Sequence, residues 1–164
     1  MLALASRLRP IWPLLMVLAS GAMLAGAHAF ETFGGLHPCP LCLDQRKWHW
    51  AVVAIGIAAF ILTRFKPTWA RAAAVIVGLV LLGSACMGAY HVAVEQHWVV
   101  ATCDARINMN EIRPLDFEGE IVAPACDQIA WQMFGISMAG YNALISLLLA
   151  LASFAVAIVP ERKP

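Results

Sequence analysis

The sequence contains few charged residues. Asp, Glu, Lys and Arg make up 13% of its 164 residues, about half the share usual in soluble domains, whereas hydrophobic residues reach 62%. This excess excludes a disordered chain and argues against a water-soluble globule. A net charge of +1 provides no basic field for nucleic acid, so no nucleic-acid partner is expected. The composition predicts a small integral membrane protein.

Four stretches of the chain carry no charged side chain over roughly the length that crosses a membrane. About 20 apolar residues, each rising about 1.5 Å, span the hydrocarbon core. We therefore predict an all-α integral membrane protein, a single membrane domain over 1–164 with a bundle of four transmembrane helices. The predicted helices cover 11–30, 47–64, 72–92 and 138–159, and the loops between them on one side cover 31–46 and 93–137.

The first apolar stretch also resembles a secretory signal peptide. Arg7 and Arg9 precede it, and Ala27-His28-Ala29 has the small residues of a cleavage site. The stretch is longer than the about 7–15 apolar residues of a signal core, which favours a retained helix. Cleavage would leave three spans and would not change the sidedness of the later loops.

The distribution of charge predicts the orientation of the helices. The N-terminus, the 64–71 connection and the C-terminal tail hold seven of the eleven basic residues and only one of the ten acidic residues. Basic residues concentrate on the cytoplasmic side of membrane proteins. Both termini are therefore predicted to be cytoplasmic, and the loops 31–46 and 93–137 to lie outside the cytoplasm.

This orientation places four of the five cysteines on the outer side. Cys39 and Cys42 belong to the first outer loop, and Cys103 and Cys126 to the second. Disulfides persist in such oxidising compartments. The fifth, Cys86, lies within the third helix among small residues, where we expect it to act as a small buried hydrophobe at a helix contact.

The Cys39-Pro40-Leu41-Cys42 segment has the features of a reactive thiol pair. Proline is tolerated at the first position of a helix, so the second membrane helix is expected to begin around Cys39 to Leu41. The helix dipole and the free backbone N–H groups there favour a thiolate, and residues three apart share a helix face. A disulfide closing so short a loop gains little entropic stabilisation, which favours a redox role over a structural one.

Two further residues are candidates for the same site. Arg46 lies one turn beyond Cys42, where a guanidinium can hold a thiolate or an oxygen of a reducible ligand. The alternative is an ordinary interfacial arginine, which its position on the outer side disfavours. His91, followed by Glu95 and His97, is the strongest ligand-contact candidate among the histidines of the spans.

The second cysteine pair permits two interpretations. Cys103 and Cys126 could form a structural staple, or a bond that undergoes exchange. An exposed, acidic loop with little core to protect the bond favours exchange, because exposed disulfides are labile.

The chain resembles the DsbB family of membrane disulfide-bond formation proteins. The resemblance covers essentially the whole chain and rests on three segments: Pro38-Cys39-Pro40-Leu41-Cys42 with Gln45-Arg46, the pairs Cys103-Asp104 and Cys126-Asp127, and Trp131 followed by Phe134-Gly135-Ile136-Ser137-Met138. It implies a thiol:quinone oxidoreductase of the bacterial inner membrane.

The resemblance implies a two-stage electron relay. A soluble, reduced DsbA-like oxidoreductase would attack the Cys103–Cys126 disulfide, forming a mixed disulfide with Cys103. Electrons would pass to Cys39 and Cys42, and from Cys42 to a quinone of the membrane pool, ubiquinone or menaquinone. A strongly oxidising acceptor is required because DsbA itself has a potential of about −120 mV.

By the same resemblance, Arg46 and His91 would bind the quinone. No metal is expected, because no second Cys-x-x-Cys lies nearby and thiolates in an oxidising compartment tend to form disulfides. Three alternatives remain open. A metal-binding module could use His37, Cys39 and Cys42, although a zinc site needs a fourth ligand. A structural membrane protein would have stapled outer loops. A quinone reductase of the vitamin K epoxide reductase type shares the chemistry but has a different cysteine order.

Overall fold

The structure, a computed structural model, describes residues 8–100, 103 and 125–160. Four long helices account for most of these residues, with a two-stranded hairpin before the last helix. The helices are α1 (Trp12–Gly34), α2 (Pro40–Phe65), α3 (Ala70–Glu95) and α4 (Met138–Ile158), and the strands are β1 (Gln132–Met133) and β2 (Ile136–Ser137). Short 3₁₀ turns, Arg9–Ile11 and Pro67–Trp69, precede α1 and α3.

All four helices are long and apolar enough to cross a membrane. Much of each helix surface is apolar and faces outward, as shown by exposed side chains such as Leu18, Ile61, Leu79 and Leu148. In water such surfaces would be unfavourable, whereas in lipid they are solvated. The predicted class, an all-α multi-pass membrane protein with four spans, is confirmed.

At the end of the bundle that holds the cysteine pairs, the helix ends differ from the bounds of the predicted spans. α1 continues to Gly34, and Gly35 then ends it in the left-handed conformation with φ 63°. α2 begins at Pro40, as the prolines predicted, and therefore before residue 47, where the predicted span begins. The Cys39 side chain accepts a hydrogen bond from the Cys42 N–H and caps the helix. The connection between α1 and α2 is therefore a few residues around His37, much shorter than the predicted loop 31–46.

Helix α3 lies at the centre of the described bundle and packs against α2 and α4, while α1 packs mainly on α2. Small residues allow close approach: a Cβ on Gly88 would lie 2.9 Å from the backbone nitrogen of Ala143 on α4. The apolar core nearer the termini includes Val52, Val77 and Leu81, none of which has any exposed surface.

The predicted loop 93–137 is described only in part, at 93–100, 103 and 125–137. Its last segment forms a hairpin in which Gln132 pairs with Ser137 and Met133 with Ile136. Phe134 and Gly135 form the turn with φ values of 51° and 77°, and positive φ at both central residues is typical of a type I′ hairpin turn. Ser137 then caps α4 by accepting the Gly140 N–H, and it donates to Glu95, which places the start of the last helix beside the C-terminal end of α3.

Candidate functional site

The thiol pair lies at the N-terminus of α2. Cys39 is buried, and its Sγ lies 2.7 Å from the Sγ of Cys42 and accepts the Cys42 N–H at 3.2 Å. The hydrogen bond with Cys42, followed by burial, raises the pKa of the Cys39 thiol above its usual value. Cys39 therefore keeps its proton in the reduced pair. The helix start was predicted to favour the thiolate of both cysteines. At Cys39, the hydrogen bond and burial outweigh this effect.

The second cysteine pair lies directly beside the first. Cys103 and Cys126 form a disulfide with a Cα–Cα distance of 6.3 Å. Cys126 packs with Cys39, Leu41 and Val94 in one small cluster at the end of the bundle away from the chain termini, with Cys42 and Cys103 against it. The expectation that this disulfide is exposed is wrong for Cys126, which is only 2% exposed because the cluster covers it.

His91 connects the thiol pair to a set of buried polar groups. Its Nε2 lies 3.6 Å from Cys39 Sγ and 4.0 Å from a Glu95 carboxylate oxygen, and its Nδ1 lies 2.6 Å from Gln45. His91 and Glu95 are both buried, and Ser137 donates a short hydrogen bond to Glu95. The structure thus places the predicted candidate His91 against Cys39.

Arg46 is held by α1. Its Nη1 lies 2.5 Å from a carboxylate oxygen of Glu31, and its Nη2 donates to the Ala27 carbonyl at 3.3 Å. Only 14% of the Arg46 side chain is exposed. Glu31 was not among the sequence-predicted site residues. The available signal was its position, since it is the acidic residue that ends the first charge-free stretch.

A cavity of about 750 Å³ lies between α1 and α4, with the thiol pair at one end. Ala22, Leu24 and Phe30 of α1 and Ile145 and Leu149 of α4 contribute apolar walls. The polar and reactive side chains gather toward the thiol pair. They include Cys39, Cys42, Gln45, Arg46, His91 and Glu95, with His49 and Asn142 deeper in the bundle. An apolar pocket with a few convergent polar groups is the usual form of a small-molecule site.

A second polar group was not anticipated. The His49 Nε2 donates to Asn142 Oδ1 at 2.7 Å, and its Nδ1 lies 3.3 Å from the hydroxyl of Ser20. Ser84 and Ser146 join this cluster from α3 and α4. His49 is one of the histidines of the spans that the sequence ranked below His91 as a ligand contact. The hydrogen bonds among four helices could not be read from spacing along the chain.

Cys86 lies away from the two pairs and is exposed on the surface of α3. The prediction that it is buried at a helix contact is wrong. Its neighbours Ser84, Ala85 and Gly88 occupy the buried face, and Cys86 faces outward. It lies outside the site in the described structure.

Three side chains of the site have the composition of a partial metal site. The sulfurs of Cys39 and Cys42 and a ring nitrogen of His91 lie within 4.8 Å of one another. Zinc in structural sites takes four ligands, so this group of three would be incomplete. His37, the third residue of the sequence-based metal alternative, does not belong to this group among the described residues.

The fold and site together define a four-helix membrane protein in which a thiol pair, a disulfide and an apolar cavity adjoin at one end. The family model described as "DsbB: Disulfide bond formation protein DsbB" matches residues 9–156, and the chain belongs to this family. The predicted family is therefore confirmed. Membership of this family supports a role as a disulfide-forming oxidoreductase.

Individual relatives agree with the family match. Disulfide bond formation protein B of Albidiferax ferrireducens is 32% identical over 152 residues, covering 84% of this chain and 81% of the relative. Disulfide bond formation protein B of Dechloromonas aromatica is 30% identical, and the match covers 75% of this chain and 76% of the relative. Disulfide bond formation protein B 2 of Pseudomonas entomophila is 31% identical and covers 82% of each chain. No solved structure matches the chain.

Proposed function

We propose that this protein is a membrane thiol:quinone oxidoreductase that reoxidises a DsbA-like thiol oxidoreductase. Electrons would pass from Cys103 and Cys126 to Cys39 and Cys42, and then to a quinone. The observation that carries this proposal is the cluster in which both cysteine pairs pack together beside the apolar cavity. A structural staple does not require a thiol pair against it, whereas an electron relay does.

The first stage is thiol–disulfide exchange. A thiolate of the reduced partner attacks Cys103 and displaces the Cys126 thiolate, and the second partner thiol then releases the oxidised partner. The reduced Cys103 and Cys126 carry the electron pair and two protons. Exchange with the oxidised Cys39–Cys42 disulfide transfers both electrons inward and restores the Cys103–Cys126 bond.

We call Cys39 and Cys42 the inner pair and Cys103 and Cys126 the outer pair. In the second stage, the reduced inner pair faces the cavity. Because Cys39 keeps its proton, its S–H donates to Cys42, which stabilises a thiolate on the Cys42 sulfur. Arg46, one turn beyond, provides a fixed positive charge at the same cavity wall. Closing the Cys39–Cys42 disulfide releases two electrons and two protons.

The cavity fits a quinone by size and by the chemistry of its lining. Its volume lies within the about 300–1,000 Å³ of small-molecule sites, and its apolar walls suit a ring and an isoprenoid tail. Arg46 and His91 would hold the quinone at the end where the thiols lie. A bound quinone supplies the acceptor for two electrons and two protons, which the protein side chains cannot supply.

The proposed setting is the inner membrane of a bacterium, in contact with lipid and with the quinone pool. Both termini would be cytoplasmic, and the two cysteine pairs would face the periplasm, where the soluble partner is found. The excess of basic residues at the termini and in the 64–71 connection supports this orientation.

Quinone-coupled turnover tests the proposal. The purified protein is mixed with a reduced DsbA-like dithiol protein and ubiquinone or menaquinone, and quinone absorbance is followed. We expect one quinone to be reduced per partner dithiol oxidised. Oxidation of the partner with no loss of quinone would contradict the proposal.

Sidedness is tested separately with single added cysteines in a Cys86→Ser background and the native pairs oxidised. His37→Cys, beside the thiol pair, should react with a membrane-impermeant thiol reagent in spheroplasts. Lys66→Cys, at the opposite end of α2, should react only after permeabilisation. The reverse pattern would overturn the orientation.

Metal binding is the second candidate, favoured by the proximity of Cys39, Cys42 and His91. It predicts that zinc stays bound through purification and that quinone reduction is absent. The same preparation therefore distinguishes the two candidates.

A further inference from the structure

A continuous chain of hydrogen bonds runs from the middle of the bundle to the Cys39 sulfur. It begins at His49, passes through Asn142 and Gln45, and ends at His91. The four side chains come from α2, α4, α2 and α3, and all are buried. Buried polar residues in a membrane bundle are costly and generally have a function.

The chemistry of the two amides gives this chain a direction. The Asn142 Nδ2 donates to Gln45 Oε1 at 2.7 Å, so the Gln45 Nε2, which can only donate, faces His91 Nδ1 at 2.6 Å. His91 Nδ1 therefore accepts and carries no proton. A neutral imidazole with an unprotonated Nδ1 has its proton on Nε2.

The surroundings of His91 Nε2 agree with this assignment, because each of its neighbours accepts hydrogen bonds. The Cys39 Sγ lies at 3.6 Å and a Glu95 carboxylate oxygen at 4.0 Å. At the opposite end, Asn142 Oδ1 accepts from both His49 and Ser146.

We propose that Gln45 and Asn142 are positioning residues that hold His91 as the neutral Nε2–H tautomer, so that His91 donates a hydrogen bond to the Cys39 sulfur. Placing a proton on Nδ1 would set two donors face to face and would require both amides to turn over. The chain of hydrogen bonds thus keeps His91 as a donor to the Cys39 sulfur. This donor supports negative charge on Cys39 when the Cys39–Cys42 disulfide re-forms. This inference rests on the proposed redox role of Cys39.

The tautomer is tested by nitrogen NMR on the full-length protein, labelled with ¹⁵N-histidine and with the inner pair reduced. The His91 signals are assigned by their loss in His91→Phe. We expect a protonated Nε2 and an unprotonated Nδ1. A protonated Nδ1 in the wild-type protein would overturn the proposal. This readout is independent of turnover, so it can fail while the proposed function stands, and the reverse also holds.

The near-isosteric Gln45→Glu variant tests the contact itself. It replaces the amide N–H with an oxygen that only accepts, so we expect His91 Nδ1 to become protonated. An unchanged Nδ1 signal would show that Gln45 does not set the state of the ring.

Asn142→Leu tests the next link of the chain by kinetics. Without the Asn142 donor, Gln45 is free to turn, and we expect kcat for quinone-coupled turnover to fall about two- to tenfold, the equivalent of one hydrogen bond, with KM for quinone unchanged. The control is Ser153→Ala, which removes a buried hydrogen bond from Trp12 elsewhere on α4. A rise in KM alone, or an equal loss in the control, would contradict a positioning role.

Discussion

The guanidinium of Arg46 on α2 forms an ion pair with the carboxylate of Glu31 on α1, with 2.5 Å between Nη1 and Oε2. The Ala27 carbonyl accepts a second hydrogen bond from the same guanidinium. Arg46 therefore joins two helices at the wall of the cavity. Its position is fixed before any ligand binds, which lowers the entropic cost of using its charge there.

Arg46 should control quinone binding through both its charge and its planar geometry. Arg46→Lys keeps the charge but loses the planar set of N–H donors of the guanidinium, and should raise KM for quinone moderately. Arg46→Gln removes the charge and should raise KM by about 10- to 150-fold, the equivalent of about 1.5–3 kcal/mol. The measurement is partner oxidation across a range of quinone concentrations.

The control for this pair of variants is Arg64→Gln at the opposite end of α2, where the guanidinium lies over the Phe60 ring. It should leave KM unchanged. An Arg46→Gln protein with the quinone dependence of wild type would make Arg46 an ordinary interfacial arginine.

The sequence predicted the parts of the site that lie within one segment of the chain, but not the contacts between helices. The helix-start pair Cys39–Cys42 and Arg46 one turn later were predicted, because proline, capping and the i+4 spacing act within one segment. The contact of Arg46 with Glu31 joins residues 15 apart on different helices. No periodicity in the sequence fixes that contact.

Contacts between helices also explain where the predicted fold differs from the structure. Four charge-free stretches predicted four spans, because the hydrocarbon core imposes length and apolarity. The rotation of a helix about its axis is set by packing, so Cys86 was assigned to the wrong face of α3. The Cys39 cap places the start of α2 about two turns before residue 47, where the predicted span begins. The prolines indicated this start, whereas the hydrophobicity pattern did not.

Glu31 should matter less than Arg46, because it acts only by placing the guanidinium. Glu31→Gln keeps a hydrogen-bond acceptor but removes the charge, so we expect KM for quinone to rise about two- to fivefold, the range of a partly exposed ion pair. Asp44→Asn breaks the exposed Asp44–Lys47 pair and serves as control. A lower KM in Glu31→Gln would show that the carboxylate competes with quinone.

Removing Cys126 should trap the partner. In Cys126→Ser mixed with the oxidised partner, the Cys103 thiolate attacks the partner disulfide and displaces one partner thiolate. The Cys126 thiol that would then displace the partner from Cys103 is absent, so Cys103 should remain bonded to the soluble oxidoreductase. Non-reducing electrophoresis should show a heavier band that disappears on reduction. Cys86→Ser, on the outward face of α3, should behave as wild type. A trapped band that depends on Cys39 or Cys42 would reverse the proposed order of transfer.

Gly88 should be required for the close packing of α3 against α4. A Cβ there would lie 2.9 Å from the Ala143 nitrogen and 3.0 Å from its Cα, so Gly88→Ala should destabilise the bundle by about 1–3 kcal/mol. Gly26→Ala is the control, because nothing lies within 4 Å of its added Cβ. Thermal unfolding in detergent measures both, and equal unfolding midpoints would contradict the close contact.

The central claim is that the inner pair alone reduces the quinone. It is tested by mixing pre-reduced protein with one equivalent of quinone, without any partner, and following quinone absorbance. The Cys103→Ser/Cys126→Ser protein, which keeps only Cys39 and Cys42, should reduce about one quinone per chain, as set by the two electrons of one dithiol. The Cys39→Ser/Cys42→Ser protein, which keeps only the outer pair, should reduce none. Quinone reduction by the second protein, or its absence in the first, would contradict the relay.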